Sequence, residues 1–176
     1  MRCSISLLVL CAAIAIAATP MKVGSDSYGE ISLESLDLLG SVKLNRTTVS
    51  KLLKVTGNLV ANSAHLHELE AEGDVKLNDT LLEAPVLITG SLQASDSDFR
   101  QSLIFVGQKA RFTKCTLIGI TVRRDAAFKA RQVIELKNHT IVEGPVVFEG
   151  GNGEVLLYPG SKIHGYVTGG KIVYKN

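Results

Sequence analysis

A glycine recurs at positions 40, 57, 73, 90 and 107, with spacings of 17, 16, 17 and 17 residues, and each opens a similar segment. The segments read Gly-Ser-Val-Lys-Leu-Asn at 40–45, Gly-Asn-Leu-Val-Ala-Asn at 57–62, Gly-Asp-Val-Lys-Leu-Asn at 73–78 and Gly-Ser-Leu-Gln-Ala-Ser at 90–95. The second and fourth residues after each glycine are apolar: Val42 and Leu44, Leu59 and Ala61, Val75 and Leu77, Leu92 and Ala94. Alternation of this kind marks a strand with one buried face. A second apolar group follows in each copy, as Leu52 and Val55, Leu66 and Leu69, Val86 and Ile88, Leu103 and Phe105. Two or three short strands in every ~17 residues describe one coil of a β-solenoid. Leucine-rich repeats have longer periods, helical repeats need roughly 33 or more residues per unit, and sandwich strands do not repeat their own sequence.

The remaining copies are less regular. In the fifth, a slip of one residue puts Ala110 and Phe112 at the apolar places and Thr113 at the polar one. A sixth copy without the glycine reads Arg124-Asp125-Ala126-Ala127-Phe128, and longer copies start at Gly144 and Gly165. The predicted fold is therefore all-β, a single-stranded β-solenoid of about eight coils over residues 40–176. Residues 18–39 read as a polar lead-in and N-terminal cap, with Thr19–Gly29 flexible and 30–39 an irregular coil or short helix.

The fifth position after each glycine holds Asn45, Asn62, Asn78, Ser95 and then Thr113. Stacked coils set these side chains one above another at the ~4.8 Å strand spacing, which predicts a structural ladder of amides and hydroxyls. Asparagine at a bend also suits left-handed backbone geometry, so the bend is expected at the ladder residue itself.

Residues 1–17 have the pattern of a secretory signal peptide: Arg2, an apolar run from Ile5 to Ala17, and Ala15-Ile16-Ala17 at the cleavage position. The run is shorter than the ~20 residues of a membrane-spanning helix, and Leu10 before Cys11 is too large for a lipidation site. The expected mature chain starts near Ala18, is exported to the periplasm or secreted, and has no stable membrane insertion. Cys3 and Cys11 leave with the signal, so only Cys115 remains and no internal disulfide forms. In its apolar surroundings Cys115 reads as a small buried hydrophobe.

Composition narrows the function. With 19 Lys and Arg against 17 Asp and Glu the chain carries a formal charge of only +2, without the basic excess of a nucleic-acid partner. Aromatic residues make up 5% and Trp is absent, which disfavours stacking platforms for bases or sugars. Catalytic fingerprints such as Gly-x-Ser-x-Gly, a phosphate loop or His-Glu-x-x-His do not occur, so neither an enzyme nor a cofactor is expected. His65 and His67, two apart on a strand, point to solvent together with Glu68 and Glu70 nearby, but no neighbouring coil adds a histidine. Asp79, Asp96 and Asp98 stack near one corner, where calcium is conceivable. That corner column also contains Arg46, Ser63 and Lys114, which marks it as a solvated, charge-mixed turn. His139 and His164 fall in different coils, and Arg123, Arg124, Lys129 and Arg131 form a modest basic patch. Three Asn-x-Thr sequons begin at Asn45, Asn78 and Asn138, two of them on the ladder.

The glycine-led copies, together with the glycine-spaced stretch from Gly160 to Gly170, resemble the bactofilins, bacterial β-solenoid proteins whose ends stack into non-polar filaments without nucleotide. The resemblance is one of repeat style over 40–174, and it implies a compact solenoid able to self-associate. Bactofilins lack signal peptides and act in the cytoplasm, so their cell-shape role does not carry over to a chain with an export signal. The expected function is an exported structural or interaction solenoid, forming a homo-oligomer through its ends. The C-terminal edge, with Val167, Ile172, Val173 and Tyr174, has no later segment to pair its backbone. The alternative is a glycan-directed surface protein, polysaccharide-binding or lyase-like, using an outer face near Asp96 and Arg124.

Overall fold

A computed structural model describes residues 21–124 and 130–176. The signal segment, Cys3, Cys11, Lys129 and most of the expected sixth copy (125–128) lie outside the described residues. No helix occurs among those described, so none is long and apolar enough to cross a membrane. Every strand pairing is parallel, and the chain climbs as a β-solenoid of about nine turns.

One column of inward positions counts the turns. Asp26, Val42, Leu59, Val75, Leu92, Ala110, Ile134, Val155 and Ile172 are successive register partners. Each turn has three runs. The ladder face follows the glycine, as in residues 41–45. A short face of two paired residues comes next, as in Leu81–Leu82 and Asp98–Phe99. A returning face leads to the next glycine, as in Val86–Ile88, whose partners are Leu69–Ala71 below and Leu103–Phe105 above. All three faces send alternate side chains inward, and these interdigitate as one continuous core in which Leu44, Leu59, Leu66, Leu77, Phe99 and Phe112 are fully buried. Phe99 and Phe112 meet edge to face, with ring centroids 5.9 Å apart.

The glycine column marks the bend from the returning face to the ladder face. Gly40, Gly57, Gly73 and Gly90 have φ between +126° and +137°, and each stacks directly on the glycine of the previous turn. A Cβ on Gly57 would lie 1.9 Å from the carbonyl oxygen of Gly40. The backbones approach too closely for any side chain, so glycine recurs because it alone fits.

Four expectations need correction. The expected lead-in is strand from Lys22: Lys22–Gly29 pairs with Leu38–Asn45 and puts Gly24 at the foot of the glycine column. Its inward positions hold Asp26 and Tyr28, so it lacks the apolar alternation that marks the other ladder strands. The ladder strand that follows Lys109–Thr113 is Gln132–Lys137, in the seventh turn, and not the stretch beginning at Arg124. Gly144 and Gly165 belong to another corner, stacked over Ile118 and Gly144 respectively before the returning face, where Val146 pairs with Ile120 and Val167. The last ladder strands are instead Gly153–Leu157 and Gly170–Tyr174. Finally, an irregularity between Val49 and Leu52 turns Leu53, rather than Leu52, into the core. The one-residue slip near Gly107 is a register shift of the same kind, between Thr89 and Ser91 opposite Val106 and Lys109.

Candidate functional site: ladders, corners and coil ends

On the ladder face, Asn62 Nδ2 donates to Asn45 Oδ1 at 3.0 Å and Asn78 Nδ2 donates to Asn62 Oδ1 at 2.9 Å. Ser95 and Thr113 continue the column in register. The left-handed residue is the next one along the chain. Glu30, Arg46, Ser63, Asp79, Asp96, Lys114 and Asn138 all have φ between 49° and 54°. The physical reason is a division of labour. The asparagine keeps its strand backbone so that its amide can stack, and its carbonyl accepts the N–H of the left-handed residue one turn earlier, as from Arg46 to Asn62 and from Ser63 to Asn78. The following residue makes the turn, and seven different coils force non-glycine residues into it.

Behind the corner runs a second ladder that the sequence pattern did not disclose. Thr47, Thr80, Ser97, Cys115, Thr140 and Ser161 are buried at equivalent positions. Their hydroxyls serve the bend twice: Thr80 Oγ1 donates to the Asn78 carbonyl at 3.0 Å, while the Thr80 N–H donates to Ser97 Oγ at 3.2 Å. Thr140 repeats this, with Ser161 Oγ accepting its N–H at 3.2 Å. Cys115 occupies one such position, its Sγ 3.4 Å from the Thr113 carbonyl, and burial pushes its thiol up to about 11. It is therefore a thiol at neutral pH and a poor nucleophile. The signal in the sequence was small residues two places after the ladder asparagine.

The corner charges pair along the axis. Arg46 meets Glu30 at 2.6 Å, Ser63 Oγ donates to Asp79 Oδ2 at 2.8 Å, and Lys114 lies 3.6 Å from Asp96. Asp98 pairs with Arg100 at 3.1 Å. The acids considered for calcium are thus each satisfied by a neighbour. His65 and His67 do share a face, but both approach Glu83 of the next turn, at 3.0 and 3.6 Å, rather than Glu68 or Glu70. Hydrogen bonding from His65 first holds the Glu83 carboxyl below its ordinary range. His164 pairs with Glu143 at 2.7 Å, and His139 packs beside Gly160. No group of three metal-ligating side chains converges among the described residues.

The most perturbed carboxyl is Glu135, on the ladder face with its side chain 6% exposed. Lys109 Nζ and Arg111 Nε each lie 2.7 Å from it, and Lys137 Nζ lies 3.5 Å away. Burial alone would raise its pKa, but the hydrogen bonds and charges of Lys109 and Arg111 outweigh that and hold it at about 2.

The two described ends differ in chemistry. In the first turn Lys22, Asp26 and Tyr28 occupy positions continued by Leu38, Val42 and Leu44 one turn on. Tyr28 Oη donates to Asp26 Oδ2 at 2.9 Å, Lys22 Nζ donates to Tyr28 Oη at 2.9 Å, and Lys22 lies 3.6 Å from Asp26. In the last turn Ile163, Val167, Ile172 and Tyr174 continue the columns of Val142, Val146, Val155 and Leu157. Ile172 is 36% and Tyr174 74% exposed, where Val155 is 0%. The edge residues named from the sequence lie on two strands rather than one: Val167 on the returning face, and Ile172, Val173 and Tyr174 on the ladder face. Val173 alone of these points outward, following Leu156. No protein-family model matches the chain, and neither curated proteins nor solved structures provide a match.

Proposed function

We propose that this chain is an exported, non-catalytic structural and interaction solenoid that self-associates through its last coil. The observation that carries the reading is the contrast between the ends. The first turn fills its inward positions with a neutralising Lys22–Asp26 pair and a tyrosine hydroxyl, and inward charge is a device that blocks edge-to-edge pairing. The last turn presents Ile172, Val167 and Tyr174 where the core would continue, beside a strand edge with no partner among the described residues. Such an end is self-complementary: a two-fold axis sets strand Gly170–Tyr174 antiparallel to its copy and covers both apolar floors. The product is a closed pair, because the plugged first turn does not offer a matching surface for a filament. Export is supported by the apolar run of residues 5–17, and the repeat style shared with end-stacking bactofilins agrees with the contact. Light scattering tests it: wild type should approach twice the monomer mass as concentration rises. Ile172→Pro, which removes a backbone donor, and Ile172→Glu, which puts a charge on the floor, should both remain monomeric with the upper turns folded. A wild type that stays monomeric at high concentration contradicts the proposal.

A further inference from the structure

We infer that the ladder face carries a binding trough for a linear acidic polysaccharide lying along the solenoid axis. This goes beyond the end contact and is independent of it. Two open depressions adjoin on this face, of about 410 and 390 Å³. The first is bordered by Ser25, Ser41 and Lys43 and the second by Lys76, Ser91 and Gln93; Asn58 and Val60 line both, so the trough runs without a break across five turns.

The outward middle column of this face reads Ser27, Lys43, Val60, Lys76, Gln93 and Arg111. Between Lys43 and Arg111 a cation stands on every second turn, two rises or ~9.6 Å apart, after which the column continues as Glu135, Leu156 and Val173. Among the described residues neither Lys43 nor Lys76 has an ion-pair partner. Around Arg111, the cations Lys109, Arg111 and Lys137 share the single carboxylate Glu135, which leaves 3 − 1 = +2. Two carboxylates line the trough itself: Asp26 is paired with Lys22, while Asp74 accepts the Ser91 hydroxyl and keeps its negative charge. The equivalent column of the returning face has no such rhythm. It reads Asp37, Lys54, Glu70, Leu87, Ile104, and its Lys54 is paired with Glu70 at 3.7 Å.

The period identifies the ligand class. A β-linked sugar unit advances by about one strand spacing, so a glycan running up the face meets one turn per sugar. Cations on alternate turns then match a glycan with one carboxylate in every two sugars. Ser41 and Asn58 on one flank and the asparagine ladder on the other supply hydroxyls and amides for sugar hydroxyls. Duplex nucleic acid fits poorly, because its phosphates recur at ~3.4 Å of axis per strand, out of step with cations ~9.6 Å apart. Recognition by exposed lysines is weak per unit, additive along the polymer and screened by salt.

The test uses purified protein and hyaluronate, a linear glycan with one carboxylate in every two sugars, alongside its carboxyl-reduced neutral form and a single-stranded oligonucleotide. Affinity electrophoresis at low and at physiological ionic strength gives the readout. The expected result is retardation by hyaluronate that weakens with salt, is lost with the reduced glycan, and falls about tenfold in Lys43→Ala/Lys76→Ala. Lys54→Ala on the returning face should bind like wild type, and unchanged thermal unfolding of the double variant keeps the comparison valid. Equal retardation by the neutral glycan, unchanged binding by the double variant, tighter binding to the oligonucleotide, or no retardation at all would each overturn the inference.

Discussion

Gly57 and Gly29 look alike in the sequence and face opposite constraints. Gly57 has φ +136° and would drive a Cβ to 1.9 Å from the Gly40 carbonyl oxygen, whereas a Cβ on Gly29 meets nothing within 4 Å. Gly57→Ala should therefore cost at least about 3 kcal/mol, and Gly29→Ala should stay within about 0.5 kcal/mol, as read by urea unfolding. Equal effects would mean that the glycines do not stack. Glu135 makes a second prediction at this scale. Its carboxyl is held at about 2 against an ordinary 4.5, so the unfolded chain binds the proton first as pH falls. The stabilisation is complete above about pH 4.5 and is lost as pH drops towards 2. Comparing urea midpoints of wild type and Glu135→Gln near neutrality and near pH 2 removes the contribution of other acids: the variant should be less stable at neutral pH, and the gap should close in acid. A gap that persists in acid would show that Glu135 acts by packing, not charge.

At the scale of the strand and the coil, the apolar alternation was readable because it arises from burial on both neighbouring turns. Leu77 alternates with Lys76 and Asn78 and is fully buried. Leu77→Asp should thus cost several kcal/mol by burying an unpaired carboxylate, while Val167→Asp, in a turn covered from one side only, should cost much less. Thermal unfolding at low concentration distinguishes the two, and a Leu77→Asp protein that melts like wild type would place that strand face outward. The same logic explains what was not readable. In the first turn Asp26 and Tyr28 stand where a core position would be apolar, so the alternation vanished and the strand passed for a polar lead-in. Between Ala110 and Ile134 the chain spends 24 residues on one turn instead of 17, which breaks the repeat and puts the seventh ladder strand at Gln132–Lys137. Gly144 and Gly165 are ambiguous in the sequence because two corners need glycine for the same reason, close stacking of backbones. The Thr and Ser ladder is not legible in the sequence, since its hydroxyls answer backbone groups that only the closed corner brings near. Glu135 likewise gathers Lys109 and Arg111 across a gap of 24 to 26 residues that no local pattern encodes.

For the whole molecule, direction along the solenoid axis matters. The outward faces are stacked ladders with paired corners, and the ends are unequal: Lys22, Asp26 and Tyr28 plug the first turn, while Ile172, Val167 and Tyr174 leave the last one open. On the proposed contact through the last coil, the protein should form pairs and stop. Nine turns at ~4.8 Å make a rod about 43 Å long, and two joined at their last coils make one of about 86 Å. Electron micrographs of the purified protein measure this directly. The prediction is a uniform population of rods near the doubled length, reduced to single length by Ile172→Glu. Rods of single length at every concentration, or filaments of indefinite length, would contradict the account.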